Sequence, residues 1–336
     1  MVKNRISLNT QNKVTAQNMA AIGNVQLLSQ ISRQPQEKIT TQTINIEGQG
    51  EYTIDTQSTQ TKRFNGHMRV IEINSTGTSE DKLASVNLTQ FVISYPLLRA
   101  LPKAPLIVRK SLAIDNTLTL VANPNGAGEG LPLSLWTGNT VDTTTLGLLT
   151  CQLYEYLNDY CELSPLSGKA NKSADIIDNP DAFPNDIFAY LTNLPEKNRA
   201  QLLDDADSVI SHCESLNHIS HGLVWVKGNC ELTKDTSVGT TANPVMLVID
   251  EGSLTFSENS KITGLVIMLM PFDSIIAAKI NVNGPAAIEG ALIASESVAF
   301  HKLPLTIKYD TEIINNFLQN PGNWRVARVP NSWRNF

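Results

Sequence analysis

The chain has 336 residues, 41% of them hydrophobic, which suffices for a substantial core in about two domains and excludes collagen-like and wholly disordered classes. Lys plus Arg number 26 against 32 Asp plus Glu, a net charge of −6 with only 17% charged residues, so no basic excess supports binding to nucleic acid or an anionic membrane. The longest apolar run, Leu265 to Met270 with Phe272 after Pro271, falls far short of the ~18–20 residues that span a bilayer, and no charged segment followed by an apolar one marks a signal peptide.

Residues 7–31 are predicted helical, with Val14, Ala21, Ile22, Val25 and Leu28 on one side at 100° per residue and Pro35 as the boundary. The helix begins almost at the first residue without a cap, as though a longer helix had been cut. Residues 39–73 alternate as strands through Ile44, Ile46, Tyr52, Ile54, Met68, Val70, Ile71 and Ile73. Gly48, Gly50, Asn65 and Gly66 separate them, which predicts a small antiparallel meander. INSTGTS (73–79) carries turn chemistry, and residues 79–92 read as a turn plus an edge strand or a short helix. Pro96, Pro102 and Pro105 mark a boundary. Beyond it come short strands without helical periodicity, among them LIVRKSLAI (106–114), TLTLVA (117–122), GLVWVKG (222–228), VMLVID (245–250), GLVIMLM (264–270) and AAIEGALIA (286–294). From Gly222 onward an apolar strand, a short polar turn and a second strand recur at roughly 20-residue spacing, the pattern of a β-solenoid; a β-sandwich would show a similar strand count. Two helices interrupt the strands, one at 185–194 and one at 195–216 with Leu202, Ala206, Val209, Cys213 and Leu216 as its stripe and Pro195 at its first position. The expected class is therefore α+β, mostly β. An N-terminal helix spans 1–35, an antiparallel β region 36–104, and a β-solenoid-like stack of short strands 105–336 with a helical insertion at about 181–217.

The four cysteines, Cys151, Cys161, Cys213 and Cys230, permit three pairings. Their spacing favours Cys151 with Cys161 and Cys213 with Cys230, short loops that close at modest entropic cost, with free thiols and a metal site as alternatives. His212, His218 and His221 crowd Cys213 but do not match the paired ligand spacing of structural zinc. Disulfides imply an oxidising compartment, and a bond from Cys213 to Cys230 would staple the second inserted helix to the first rung. No Gly-x-Ser-x-Gly, His-Glu-x-x-His or Walker lysine is present. PNGAGEG (124–130) resembles a phosphate cradle but lacks the Lys-Ser/Thr that should follow, and reads as a flexible surface loop. The acidic DIIDNPDAFPND (175–186) lacks EF-hand spacing and reads as a solvated loop. Lys227, Asp250, Lys261, Asp273 and Lys279 fall mostly at turns, and no two carboxylates recur at one rung period as carbohydrate-cleaving solenoids require. No catalytic residue, cofactor or metal is expected.

Several stretches together resemble the PilX family, the minor pilins of bacterial type IV pili. They are APLIVRKSLAIDNTLTLVANPNGAGEGLPLSLWTG (104–138), TCQLYEY (150–156), DAFPNDIFAYL (181–191), SHCESLNHISHGLVWVKGNCEL (211–232), RVIEINSTGTS (69–79) and the terminus VPNSWRNF (329–336), where Asn331 and Asn335 depart from the family's pattern. The resemblance implies a pilin-like N-terminal region and a role in assembly rather than catalysis. The protein would prime pilus assembly with other minor pilins, support a PilY-type adhesin at the pilus tip, and meet the major pilin through an N-terminal membrane helix. The family's prepilin leader, its glutamate at the fifth mature position and its apolar anchor are not in the sequence, so residues 7–31 are expected to continue that anchor. The implied location is the periplasmic side of the inner membrane before assembly and the cell exterior afterwards. Trp136, Trp324 and Trp333 are the candidate interface residues, since aromatic side chains frequently anchor interfaces. The competing readings are a secreted β-solenoid that binds or cleaves polysaccharide, and a cytosolic β-scaffold similar to bactofilins.

Overall fold

The computed structural model describes residues 2–35, 37–61, 67–143, 147–168, 171–192, 194–302 and 304–335. The expected turn at Asn65 and Gly66 and the terminal Phe336 lie outside the described residues. Two compact units emerge, one of Met1–Leu97 with Pro321–Phe336 and one of Leu98–Asn320.

In the first unit, α1 (Val2–Arg33) precedes β1 (Gln42–Ile46), β2 (Gly50–Gln60), β3 (Arg69–Ser79) and β4 (Ser85–Pro96), which pair antiparallel in that order. Residues 85–96 are not an edge strand, because Trp324–Arg328 pairs antiparallel with β4 from Trp324↔Pro96 to Arg328↔Val92. The last sixteen residues thus complete the first unit's sheet instead of belonging with 105–320. The core lies between helix and sheet, with Met19, Leu27, Leu28 and Ile31 packed on Tyr52, Ile54, Ile71, Ile73 and Val92, and Ala16 and Ala20 packed on Val86 and Leu88. The expected apolar stripe of α1 is not the buried one: of its members only Leu28 is buried, while Val14, Ile22 and Val25 are 51%, 40% and 63% exposed. Close approach decides this. A Cβ on Gly77 of β3 would collide with the α1 backbone at Ala16 and Ala20, and one on Gly23 with the Ser75 hydroxyl. Close backbone contact is possible only on the face that carries Ala16, Ala20 and Gly23, and Val14, Ile22 and Val25 are left outward.

The second unit is built of parallel pairings between successive circuits of the chain. β5 (Leu106–Val108), β6 (Leu112–Ile114) and β7 (Leu118–Val121) are followed by a hairpin of β8 (Asn123–Gly128) and β9 (Leu131–Leu133), then by β10 (Leu135–Thr137) and β11 (Leu148–Cys151). The short helix α2 (Leu153–Leu157), β12 (Ile176–Ile177), α3 (Ile187–Thr192), α4 (Arg199–Asp204) and β13 (Ser208–Ile210) lead to β14 (Gly222–Lys227) and β15 (Cys230–Leu232). The remainder is β16 (Ser237–Val238), β17 (Val245–Asp250), β18 (Leu254–Ser257), β19 (Lys261–Leu269), β20 (Ala278–Asn283), β21 (Ala286–Ala294), β22 (Val298–His301), β23 (Leu305–Lys308) and α5 (Thr311–Gln319). In-register pairing aligns Val224, Leu247, Val266, Leu292, Leu106, Leu135 and Ile176 as one buried ladder. Cys230, Leu254, Ile280, Phe300 and Ile114 form the facing ladder. The neighbouring positions Trp225, Val248, Ile267, Ile293 and Ile107 are buried too, which is why these strands read as unbroken apolar runs instead of alternating.

Three sequence expectations change here. Residues 195–216 are not one helix: α4 ends at Asp204, and Asp207 docks the chain on β14 by donating its N–H to Leu223 O at 2.9 Å while its carboxylate accepts the Leu223 N–H at 2.8 Å. β-branched Val209 and Ile210 then continue as strand β13 beside Trp225 and Val226. PNGAGEG is no flexible loop but part of the β8–β9 hairpin, locked by Asn125 accepting the Gly130 N–H at 2.7 Å and by Asn123 donating to Lys103 O at 2.8 Å. The acidic segment 175–186 is not simply solvated either. Asp175 is buried and accepts the Ser167 N–H and O–H, Ile176–Ile177 pairs with β10, and Phe183 is buried against Trp136.

Candidate interaction surfaces

Cys151 is bonded to Cys161 and Cys213 to Cys230, each pair with Cα atoms 5.0 Å apart, and no described cysteine is free. The first bond closes the excursion that carries α2. The second ties the segment after β13 to β15 at the start of the second ladder, so the staple joins an irregular segment, not a helix, to the stack.

The three candidate tryptophans separate. Trp136 is 6% exposed, with its ring 5.0 Å from that of Phe183 and 5.4 Å from that of Tyr190, and Lys103 Nζ 5.5 Å from its centroid. Trp324 is 7% exposed at the start of the strand beside β4. Both are packing residues and present no anchor to a partner, whereas Trp333 is 52% exposed. Partial hydrophobic context in the sequence could not separate them, because burial of Trp136 depends on α3, far along the chain.

Charged groups that looked scattered along the sequence meet in the second unit. Glu296, fully buried, takes Arg109 and Lys110 as ion partners, Lys110 Nζ at 2.7 Å from Oε2, and accepts the Asp273 N–H at 2.9 Å. Asp273 returns contacts of 3.0 Å to Arg109 and 3.2 Å to Lys110, and these cations hold its carboxyl below the usual range. The Arg109 guanidinium lies 4.2 Å from the Phe272 ring centroid. Nearby along the chain, Ser295 donates to Glu196 at 3.3 Å. Burial, then the negative charges of Asp186 and Glu296, push Glu196 up to about 7. On the stack's side, Glu289 bridges Lys261 at 3.0 Å and Lys308 at 2.9 Å, one from each neighbouring circuit, and the two lysines outweigh burial to lower its pKa. Arg199 reaches Asp250 at 3.3 Å, and Asp250 accepts the Trp225 indole N–H at 3.2 Å. Such pairs let the rungs bring charge into a close-packed wall without leaving it uncompensated.

Three apolar surfaces remain open. The outer stripe of α1 carries Val14, Ile22 and Val25, and in residues 7–32 the one charged side chain is Lys13. A loop tip after β19 exposes Phe272, Ile275 and Ile276 above the Glu296 ion cluster that pins its base. The Cys151–Cys161 excursion exposes Leu153, Tyr154, Leu157 and Tyr160, with Leu163 just beyond it. Sequence reading found the α1 stripe but took it for the packed face, and missed the other two; the signal for the last was present in five large apolar residues lying between and beside two cysteines. Among the described residues no group of His, Cys, Asp and Glu is arranged to hold a metal ion, and no helix is long and apolar enough to cross a membrane.

No protein-family model matches the chain, and no curated protein matches it. Among solved structures it is similar to the competence-associated pilin ComZ from Thermus thermophilus, at 10% identity and a TM-score of 0.26 over 97% of this chain and 98% of that one. A likeness of that strength carries no argument.

Proposed function

We propose that the protein is an extracytoplasmic subunit of a type IV pilus or a related filament, whose first unit assembles and whose second unit, a β-solenoid, is displayed. The observation that carries this reading is the two-faced α1. One face is buried on the sheet, and the opposite face exposes Val14, Ile22 and Val25 along a stretch, residues 7–32, whose one charged side chain is Lys13. Three large apolar side chains among Gln11, Asn18 and Ser29 on the outward face are what a second helix can cover, and packing against other helices is the simplest cover. Two disulfides support an oxidising compartment. The finer reading, a PilX-type minor pilin that primes assembly with other minor pilins and supports a PilY-type adhesin, rests on the motifs at 104–138, 150–156, 181–191, 211–232 and 329–336. The protein acts by assembly and not by catalysis: Glu196 and Glu296, two carboxylates within each other's field, are buried from any polymeric substrate.

The test is a pair of substitutions on the exposed stripe, Val14→Asp with Val25→Asp, introduced in the native host. Expected is an unchanged circular dichroism spectrum and melting temperature for the purified protein, together with its disappearance from filaments sheared off the cell surface. Filaments that retain the doubly substituted protein at the normal level would sink the reading. Pull-down of a tip adhesin with the filament fraction, lost on deletion of the gene, checks the finer assignment.

A further inference from the structure

We propose that the groove beside the Cys151–Cys161 excursion receives the C-terminal segment of a second copy of this chain. The proposal does not rest on the filament reading above. The groove has a volume of about 610 Å³, with Leu153, Tyr154 and Leu157 of α2 on one wall and Asp310 and Glu312 at the start of α5 on the other. Its α2 wall is well exposed, Tyr154 at 69% and Leu157 at 70%. Among the described residues no Lys or Arg lines it, and residues 149–168 contain Glu155, Asp159 and Glu162 but no basic residue. The chemistry it asks of an occupant is therefore an apolar or aromatic side chain flanked by positive charge.

The chain carries such a segment in its other unit. Trp333 is exposed next to the exposed Arg334, with exposed Arg328 five residues earlier. This segment is held in place already: Arg334–Asn335 pairs with β4, and Ser332 Oγ accepts the Phe91 N–H at 3.1 Å. Its ordering is part of folding and does not oppose binding. The charge is divided in the same sense at the scale of whole units. Residues 1–97 with 321–336 contain 12 Lys and Arg against 7 Asp and Glu, a net of +5; residues 98–320 contain 14 against 25, a net of −11. Two copies are thus attracted with the first unit of one facing the second unit of the other, while like units repel. Because groove and tail are different patches, the contact is heterologous, each copy offering a groove to one tail and a tail to one groove.

The test is sedimentation velocity on the full chain over a concentration series at low and high salt. Expected is reversible association, weakened about tenfold or more by high salt and by either Trp333→Ala or Tyr154→Ala with Leu157→Ala, all of which alter exposed side chains. Glu312→Arg should weaken association, and Arg334→Glu in the same protein should recover part of the loss. A strictly monomeric chain, or association indifferent to Trp333 and to Tyr154 with Leu157, would overturn the proposal; circular dichroism confirms that every variant is folded.

Discussion

Glu196 shows how a residue near the chain's inserted helices comes to govern a pH response. Its carboxyl is buried beside Ser295 and within the field of Asp186 and Glu296, and its pKa stands at about 7 against an ordinary 4.5. Between these values the folded chain holds a proton that the unfolded chain has released, so this group makes stability fall as pH rises from about 4.5 to about 7. Glu196→Gln keeps the shape and removes the proton exchange. Thermal melts of the variant should lose this slope and lie above wild type at pH above 7. Glu296 sits in the opposite situation, a buried carboxylate matched by Arg109 and Lys110. Glu296→Ala leaves Arg109 and Lys110 with the exposed Asp273 alone and should cost more in urea unfolding than the ~0–1 kcal/mol typical of an exposed pair, but less than the ~3–5 kcal/mol of stranding a fully buried charge.

At the scale of elements, α1 and its sheet depend on a missing side chain. Gly77→Val places branched carbons where the Ala16 carbonyl and Ala20 nitrogen now lie. Overpacking of this kind should cost about 1–3 kcal/mol, and limited proteolysis should cut α1 earlier than in wild type. The disulfides act on the second unit. Their separations of 10 and 17 residues give about 3 kcal/mol each by loop-closure entropy, so replacing Cys213 and Cys230 by Ser should lower stability by that order while the first unit stays folded. The two wrong helix readings have one cause. Periodicity at 195–216 and on the 14, 21, 22, 25 stripe is a statement about one segment alone, whereas Asp207 docking onto Leu223 and the Gly77 contact with α1 are made by partners distant in sequence.

Across the whole molecule, the order of circuits differs from the order of the chain. β14, β17, β19 and β21 stack in sequence, but β21 next meets β5, the chain's earliest strand in this unit, and β23 meets β7. The stack's two ends, β11 and β12 at one and β13 at the other, are therefore drawn from the middle of the sequence. The first unit is likewise closed by residues from the opposite terminus. Truncation at Pro321 should strip the partner from β4 and reduce hydrogen-exchange protection across 88–96, with protection of β14 to β23 unchanged. A truncated chain with β4 fully protected would show that the C-terminal strand adds nothing to the sheet.

By itself the sequence determined what is local. The mostly β class, the alternation of β1 to β4 and the unbroken apolar runs of the stack follow from periodicity within a few tens of residues, and spacing favoured the two cysteine pairs over free thiols and a metal site without deciding between them. The tertiary structure alone decided which face of α1 is covered, that Trp136 and Trp324 are packed while Trp333 is open, and that Arg109, Lys110, Asp273 and Glu296 meet. Each of those depends on a contact between segments far apart in the chain, such as Arg109 with Glu296 or Trp324 with Pro96, and no periodicity within one segment encodes its distant partner.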